Sequence, residues 1–164
     1  MLSFNIELEQ LCNIDKAVEM LVYILNMKNN LSNFLISKIF YFAEKFHYLE
    51  SRDMICYLRY THNDSGIEMF DLIKLVQKFE NKFYSRSTLS PSYYFIDCKV
   101  PYRKINLSIC ELHSIEKAFN YCINRTYGEL VKETSNYSLD KPELEKEFTF
   151  LKYYNFILLP DLVE

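Results

Sequence analysis

The segment Ser37–Tyr48 reads SKIFYFAEKFHY and constrains the fold more than any other part of the chain. At about 100° per residue, Leu35, Ile36, Ile39, Phe40, Phe42, Ala43 and Phe46 spread over roughly half the circumference of a helix. An arc that wide cannot be covered by one neighbour, so the helix must lie inside a packed domain. Its rings carry most of the burial area and read first as core. Ser37, Lys38, Tyr41, Glu44, Lys45 and Tyr48 fall on the other side, where the pattern predicts contact with water. Ser32 is the expected N-cap, with Leu31 and Ile36 at the positions of a hydrophobic staple.

The other elements are built around that helix. Ile14, Val18, Leu21, Val22 and Leu25 predict a first helix that stops at NMKNN. Met54–Tyr60, MICYLRY, is β-branched and aromatic without a helical stripe and predicts a strand. Ser65-x-x-Glu68 has the form of a capping box, predicting a third helix with Ile67, Phe70, Leu72, Ile73, Val76 and Phe79 on its apolar side. SRSTLSPS breaks that helix, and Tyr93–Val100 alternates as a second strand, stopped by Pro101. Ser108-x-x-Glu111 and Thr126-x-x-Glu129 predict two more helix starts, and a last helix is expected from about Asp140–Glu143. The expectation is a single mainly α (α+β) domain over residues 1–164, with about six helices and a small antiparallel β element.

With 164 residues, two glycines and four prolines, the chain suits one core and leaves little room for linkers. The net charge is −3, so the bulk basic signal of a nucleic-acid-binding protein is missing. Five cysteines without close spacing argue for free thiols rather than a disulfide framework or a zinc site. The opening MLSFNIELEQ lacks a basic region followed by an apolar run, and no apolar run is long enough for a bilayer. A cytoplasmic protein is expected.

Catalytic patterns are sparse. Glu44-x-x-His47 places a carboxylate and an imidazole on one helix face, the unit that di-iron bundles use twice. It occurs once, and neither His62 nor His113 has an acid three residues before it, so a core-edge histidine oriented by Glu44 is the expected arrangement. No nucleophile elbow, His-Glu-x-x-His or phosphate-binding glycine loop is present. The residue pattern therefore predicts no catalytic, metal or cofactor site and no enzyme. Lys74, Lys78 and Lys82 at helical spacing form a basic stripe that could touch phosphates, and Glu80 interrupts it.

The order of these segments resembles the Panacea-domain family, which includes SocA-like antitoxins and related phage-associated proteins. IDKAVEMLVYIL and NNLSNFLISKIFYFAEKFHYL are similar to its first two helices, with Lys38, Tyr41, Phe42, Ala43, Glu44 and His47 at the motif positions. YLRYTHNDSGIEMFDLIK and NLSICELHSIEKAFNYCINRTYGELVKETSNYS follow in the family order, so the likeness spans about Ile14 to Ser138. HNDSG replaces the family's Gly-Pro-rich turn, and ETSNYS lacks its histidine. The resemblance implies a toxin–antitoxin system, with an antitoxin that neutralises a neighbouring gene's toxin by direct protein–protein contact; one type of member also delivers the toxin to a protease. The partner surface expected is the turn Arg59–Glu68, with Arg59, Tyr60, His62, Asp64 and Glu68 as its contacts. Two other classes stay in view: a DNA-binding transcription regulator using the lysine stripe, and a small metalloenzyme built on Glu44 and His47.

Overall fold

The computed structural model describes residues 13–58, 60–63, 65–69, 72–90 and 92–135. The fold is mainly helical with a small antiparallel sheet, as the pattern predicts. Helix α1 is Ile14–Met27, followed by β1 (Leu31–Ser32) and α2 (Asn33–Ser51). A hairpin of β2 (Tyr60–Asn63) and β3 (Gly66–Met69) leads to the short α3 (Leu72–Lys78). Then come β4 (Phe83–Ser87), β5 (Tyr94–Cys98), α4 (Ile109–Ile123) and α5 (Tyr127–Ser135). Five helices stand among the described residues. The sixth, expected near Asp140–Glu143, lies outside them. Among the described residues no helix is long and apolar enough to cross a membrane.

Helix starts follow their caps. Asn13, Ser32 and Ser108 each accept a backbone N–H from the first turn, and Ser108 with Glu111 forms the full reciprocal box. Thr126 Oγ1 accepts from Glu129 N–H at 3.2 Å, which opens α5 as expected. At the far end of α2, Arg52 turns into the left-handed region and its N–H closes on Tyr48 C=O at 2.7 Å.

Helix α2 is the centre of the molecule. It packs chiefly against α4 and also meets α1, β1, β3 and β5. Ile36, Ile39, Phe40 and Ala43 are fully buried. The supposed wet side is buried too: Ser37, Lys38, Tyr41, Glu44 and Tyr48 are all enclosed, whereas Phe46 on the apolar arc is only half-buried. A binary pattern marks where apolar side chains can go. It does not show that a second layer closes over the polar side once that layer supplies hydrogen bonds.

Two segments depart from the sequence expectation for local reasons. Met54–Leu58 is irregular rather than a strand. Its backbone is satisfied elsewhere: Asn13 N–H donates to Cys56 C=O at 2.9 Å, and Tyr57 N–H to Glu44 Oε2 at 3.1 Å. Tyr57 also takes φ 54°, which no ladder accommodates. The expected helix from Ser65 is instead strand β3. Asn63 pairs with Gly66, which commits residues 66–69 to the ladder. The helix begins only at Leu72.

The three-stranded sheet has the order β1-β5-β4, all antiparallel. Leu31, Phe83 and Ile96 are buried on its inner face. Strand β4 falls where the sequence suggested a helix end and a break, and it supplies the partner that β5 requires. Of the described cysteines, Cys56 and Cys122 are buried, Cys98 is partly exposed and Cys110 exposed, and none of them forms a disulfide.

Truncation should separate the two views of α2. Phe40→Ala should cost roughly 3–5 kcal/mol in urea unfolding, from lost transfer energy and a cavity. Tyr41→Ala should cost at least as much as Phe46→Ala, and the opposite order would restore a wet Tyr41 face.

Candidate functional site

The polar residues on α2 are anchors for the hairpin. Lys38 is fully buried, and its Nζ donates to the carbonyls of Ser65 at 2.5 Å and Ile67 at 2.8 Å. The ammonium also sits 4.8 Å from the centre of the Phe34 ring. Burial pulls its pKa down to about 8, while the charge of Glu68 acts in the opposite direction. Gly66 lies between these partners at φ +83°, and a Cβ there would collide with Thr134 Oγ1 and stand 3.0 Å from Lys38 Nζ. One step along the helix, Ser37 Oγ accepts from Met69 N–H at 3.1 Å. Glu44, fully buried as well, accepts from Tyr57 N–H and, at 2.8 Å, from the Tyr60 hydroxyl. Burial, with the Glu44 charge beside it, raises the Tyr60 phenol well above its usual range.

This geometry corrects part of the expected partner surface. Tyr60 is 1% exposed and bonded to Glu44, so its ring belongs to the core and cannot anchor a partner. Glu68 is half-buried on β3, near enough to Lys38 to oppose the lowering of that lysine's pKa. Arg59 and Asp64 lie outside the described residues, and for His62 the structure gives the β2 backbone, paired with Ile67.

The other sequence candidates also resolve. Glu44 turns toward Tyr57 and Tyr60, while His47 Nδ1 faces Ser114 Oγ of α4 at 3.4 Å. Histidine orientation thus comes from α4 rather than from the expected Glu44 contact. Among the described residues no three His, Cys, Asp or Glu side chains converge as a metal site would require. The lysine stripe is broken: α3 ends at Lys78, and Lys82 lies beyond it, its carbonyl accepting from Lys99 N–H at 2.8 Å.

A second carboxylate shapes the α1 side. Glu19 gathers the N–H groups of Ile105, Asn106 and Leu107 and the Tyr102 hydroxyl. Burial alone would raise its pKa, but these four donors outweigh it and lower it. Lys16 joins Glu111 at 2.7 Å beside this clamp. Both interactions fix the loop that leads into α4.

What the molecule presents outward is the other face of the sheet, which the sequence reading missed along with β4. Tyr84 and Arg86 of β4 stand beside Asp97 and Phe95 of β5, with Tyr93 and Lys99 at the two ends. Tyr84 is 53% exposed and Tyr93 38%. The Arg86 guanidinium lies 5.8 Å from the Phe95 ring centre and 3.4 Å from Asp97, and it bonds Asn30. Lys99 Nζ lies 6.0 Å from the Tyr84 ring, and Tyr93 packs edge-on to Phe95 at 5.5 Å. Aromatic rings and cations alternate across this surface. The alternation of FYSRS against YFIDC is the signal that could have revealed it. In comparisons with family models, curated proteins and solved structures, nothing matches this chain.

The buried lysine makes a signed prediction. Between about pH 8 and the unfolded value of 10.5, the folded chain holds fewer protons on Lys38 than the unfolded chain, so stability rises with pH. The tyrosines Tyr57, Tyr94 and Tyr121, raised to about 12, lose stabilisation only above 10 and do so equally in a Lys38 variant. Relative to Lys38→Met, wild type should therefore gain about 2 kcal/mol in urea unfolding between about pH 7.5 and 9.5. Parallel pH profiles for the two proteins would contradict the burial of a charged Lys38.

Proposed function

We propose that this chain is an antitoxin-like protein-binding module that neutralises a partner toxin by direct contact, the toxin being encoded by a neighbouring gene. The resemblance to Panacea-domain proteins over Ile14–Ser138 supports this reading. The motif residues Lys38, Tyr41, Phe42, Ala43, Glu44 and His47 are all buried, so in this reading the motif is a signature of the fold, and the partner reads other residues. The observation that carries the proposal is the outer sheet face. Tyr84, Tyr93, Arg86 and Lys99 are exposed on a surface held by two paired strands. Tyrosine and arginine are the residue types that dominate binding hot spots, and a rigid platform reduces the entropy lost on association.

The test is co-expression with the toxin from the adjacent gene. Wild type should restore growth, and a Tyr84→Ala/Arg86→Ala double variant should lose most of that rescue. Its circular-dichroism melt should stay close to wild type, because both side chains are about half exposed and lie on the face away from the core. Full rescue by the folded double variant would remove the sheet face as the toxin contact.

A further inference from the structure

The bonding parity of the sheet leaves the outer side of β4 without a strand partner among the described residues. Lys99 N–H donates to Lys82 C=O, so the pair 82/99 is hydrogen-bonded, and so are 84/97 and 86/95 by alternation. The opposite side of β5 confirms the parity: Cys98 and Tyr94 send their N–H groups away from β4, to Asn29 Oδ1 and Asn33 Oδ1. On β4, then, Phe83, Ser85 and Ser87 turn their backbone groups outward. Phe83 N–H is taken by Phe79 C=O at 3.1 Å. The N–H and C=O groups of Ser85 and Ser87 have no protein partner among the described residues. A groove of about 540 Å³ runs beside this edge, lined by Val76, Gln77, Glu80, Phe83, Ser85 and Lys99 among others.

We infer that the β4 edge binds an extended, acidic segment of a partner protein by strand addition. The inference rests on the binding-module reading and states how the partner is held. An exposed edge is normally guarded by charge or by a covering element. Here the residues at the outward positions are serines, too small to cover the edge. Arg86 lies on the sheet face, drawn toward Asp97 and Asn30. The charges nearest the edge are Lys99 and Glu80 in the groove lining, Arg86 beside Asp97 on the sheet face, and Lys78 at the end of α3, a small excess of positive charge in a chain that is negative overall. An added strand places alternate side chains on the Tyr84/Arg86 face, where carboxylates complement Arg86 and Lys99. Its intervening side chains enter the groove beside Phe83 and Val76, which suits apolar groups.

The probe is a labelled peptide of about ten residues alternating Glu and Val, with a Lys/Val peptide as control. Fluorescence anisotropy should show the acidic peptide binding roughly tenfold or more tightly than the basic one. Hydrogen exchange should slow at the Ser85 and Ser87 amides. Two N-methylated forms of the acidic peptide, modified at alternate residues of opposite parity, should differ: one set removes the donors to the edge and abolishes binding, and the other leaves it intact. Ser85→Pro, which deletes an outward N–H that the β5 ladder does not use, should weaken binding likewise. Equal binding of both charge types, no protection at Ser85 and Ser87, or equal effects of the two methylation sets would each overturn the inference, whether or not the proline variant folds. Toxin rescue by a folded Ser85→Pro variant at the wild-type level would overturn it while leaving the toxin-binding reading intact. Peptide binding with the expected parity but no toxin rescue by wild type would support the open edge and count against the toxin.

Discussion

The ammonium of Lys38, enclosed in the core and held by two backbone carbonyls, is the contact on which the arrangement around α2 depends. A buried charge without good partners costs several kcal/mol, so the surroundings of Lys38 are narrowly specified. The carbonyls of Ser65 and Ile67 satisfy it only if the hairpin lies in one position against the helix. Glu44 imposes the matching condition one and a half turns further along, through Tyr57 and Tyr60. Together the two residues turn what would be a wet helix face into a second interface. Apolar packing could have been satisfied by several placements of the hairpin. Directional hydrogen bonds to two ionisable groups select one of them.

What could be read in advance follows from this. Cap boxes and helical stripes are local, so α1 was legible from its apolar stripe, and α2, α4 and α5 from Ser32, Ser108 and Thr126 outward. The failures are all non-local. Ser65-x-x-Glu68 has the form of a capping box, but Gly66 and the pairing of His62 with Ile67 draw those residues into a hairpin. Met54–Leu58 has strand composition, yet its Tyr57 N–H is taken by Glu44 and its Cys56 C=O by Asn13 at the start of α1. Strand β4 has weak local character and exists because β5 needs a partner. The candidate surface followed the same pattern. Tyr60 looked like an anchor because nothing in its neighbourhood showed that Glu44, sixteen residues earlier, would accept its hydroxyl. The sheet face was invisible without β4.

The two sides of the sheet have different tasks. Leu31, Phe83 and Ile96 join it to the core, while Tyr84, Arg86, Phe95 and Lys99 form a surface whose rings and cations hold one another. Such mutual contacts restrict the rotamers of these side chains. The carboxylate of Glu19 does comparable work on the α1 side, fixing the loop 105–107 so that α4 starts from a defined point. Rigidity here comes from polar groups that bridge elements far apart in the chain.

Gly66 gives this design a mechanical side. The hairpin, α2 and α5 meet at a point with no room for a methyl group, since Thr134 and Lys38 already occupy the space. Bodies in such close contact cannot slide past one another, so a push on α5 is transmitted to the hairpin and the helix behind it. The exposed Tyr127 ring, stacked on Phe34 at 4.3 Å at the start of α5, carries that contact out to the rim of the molecule.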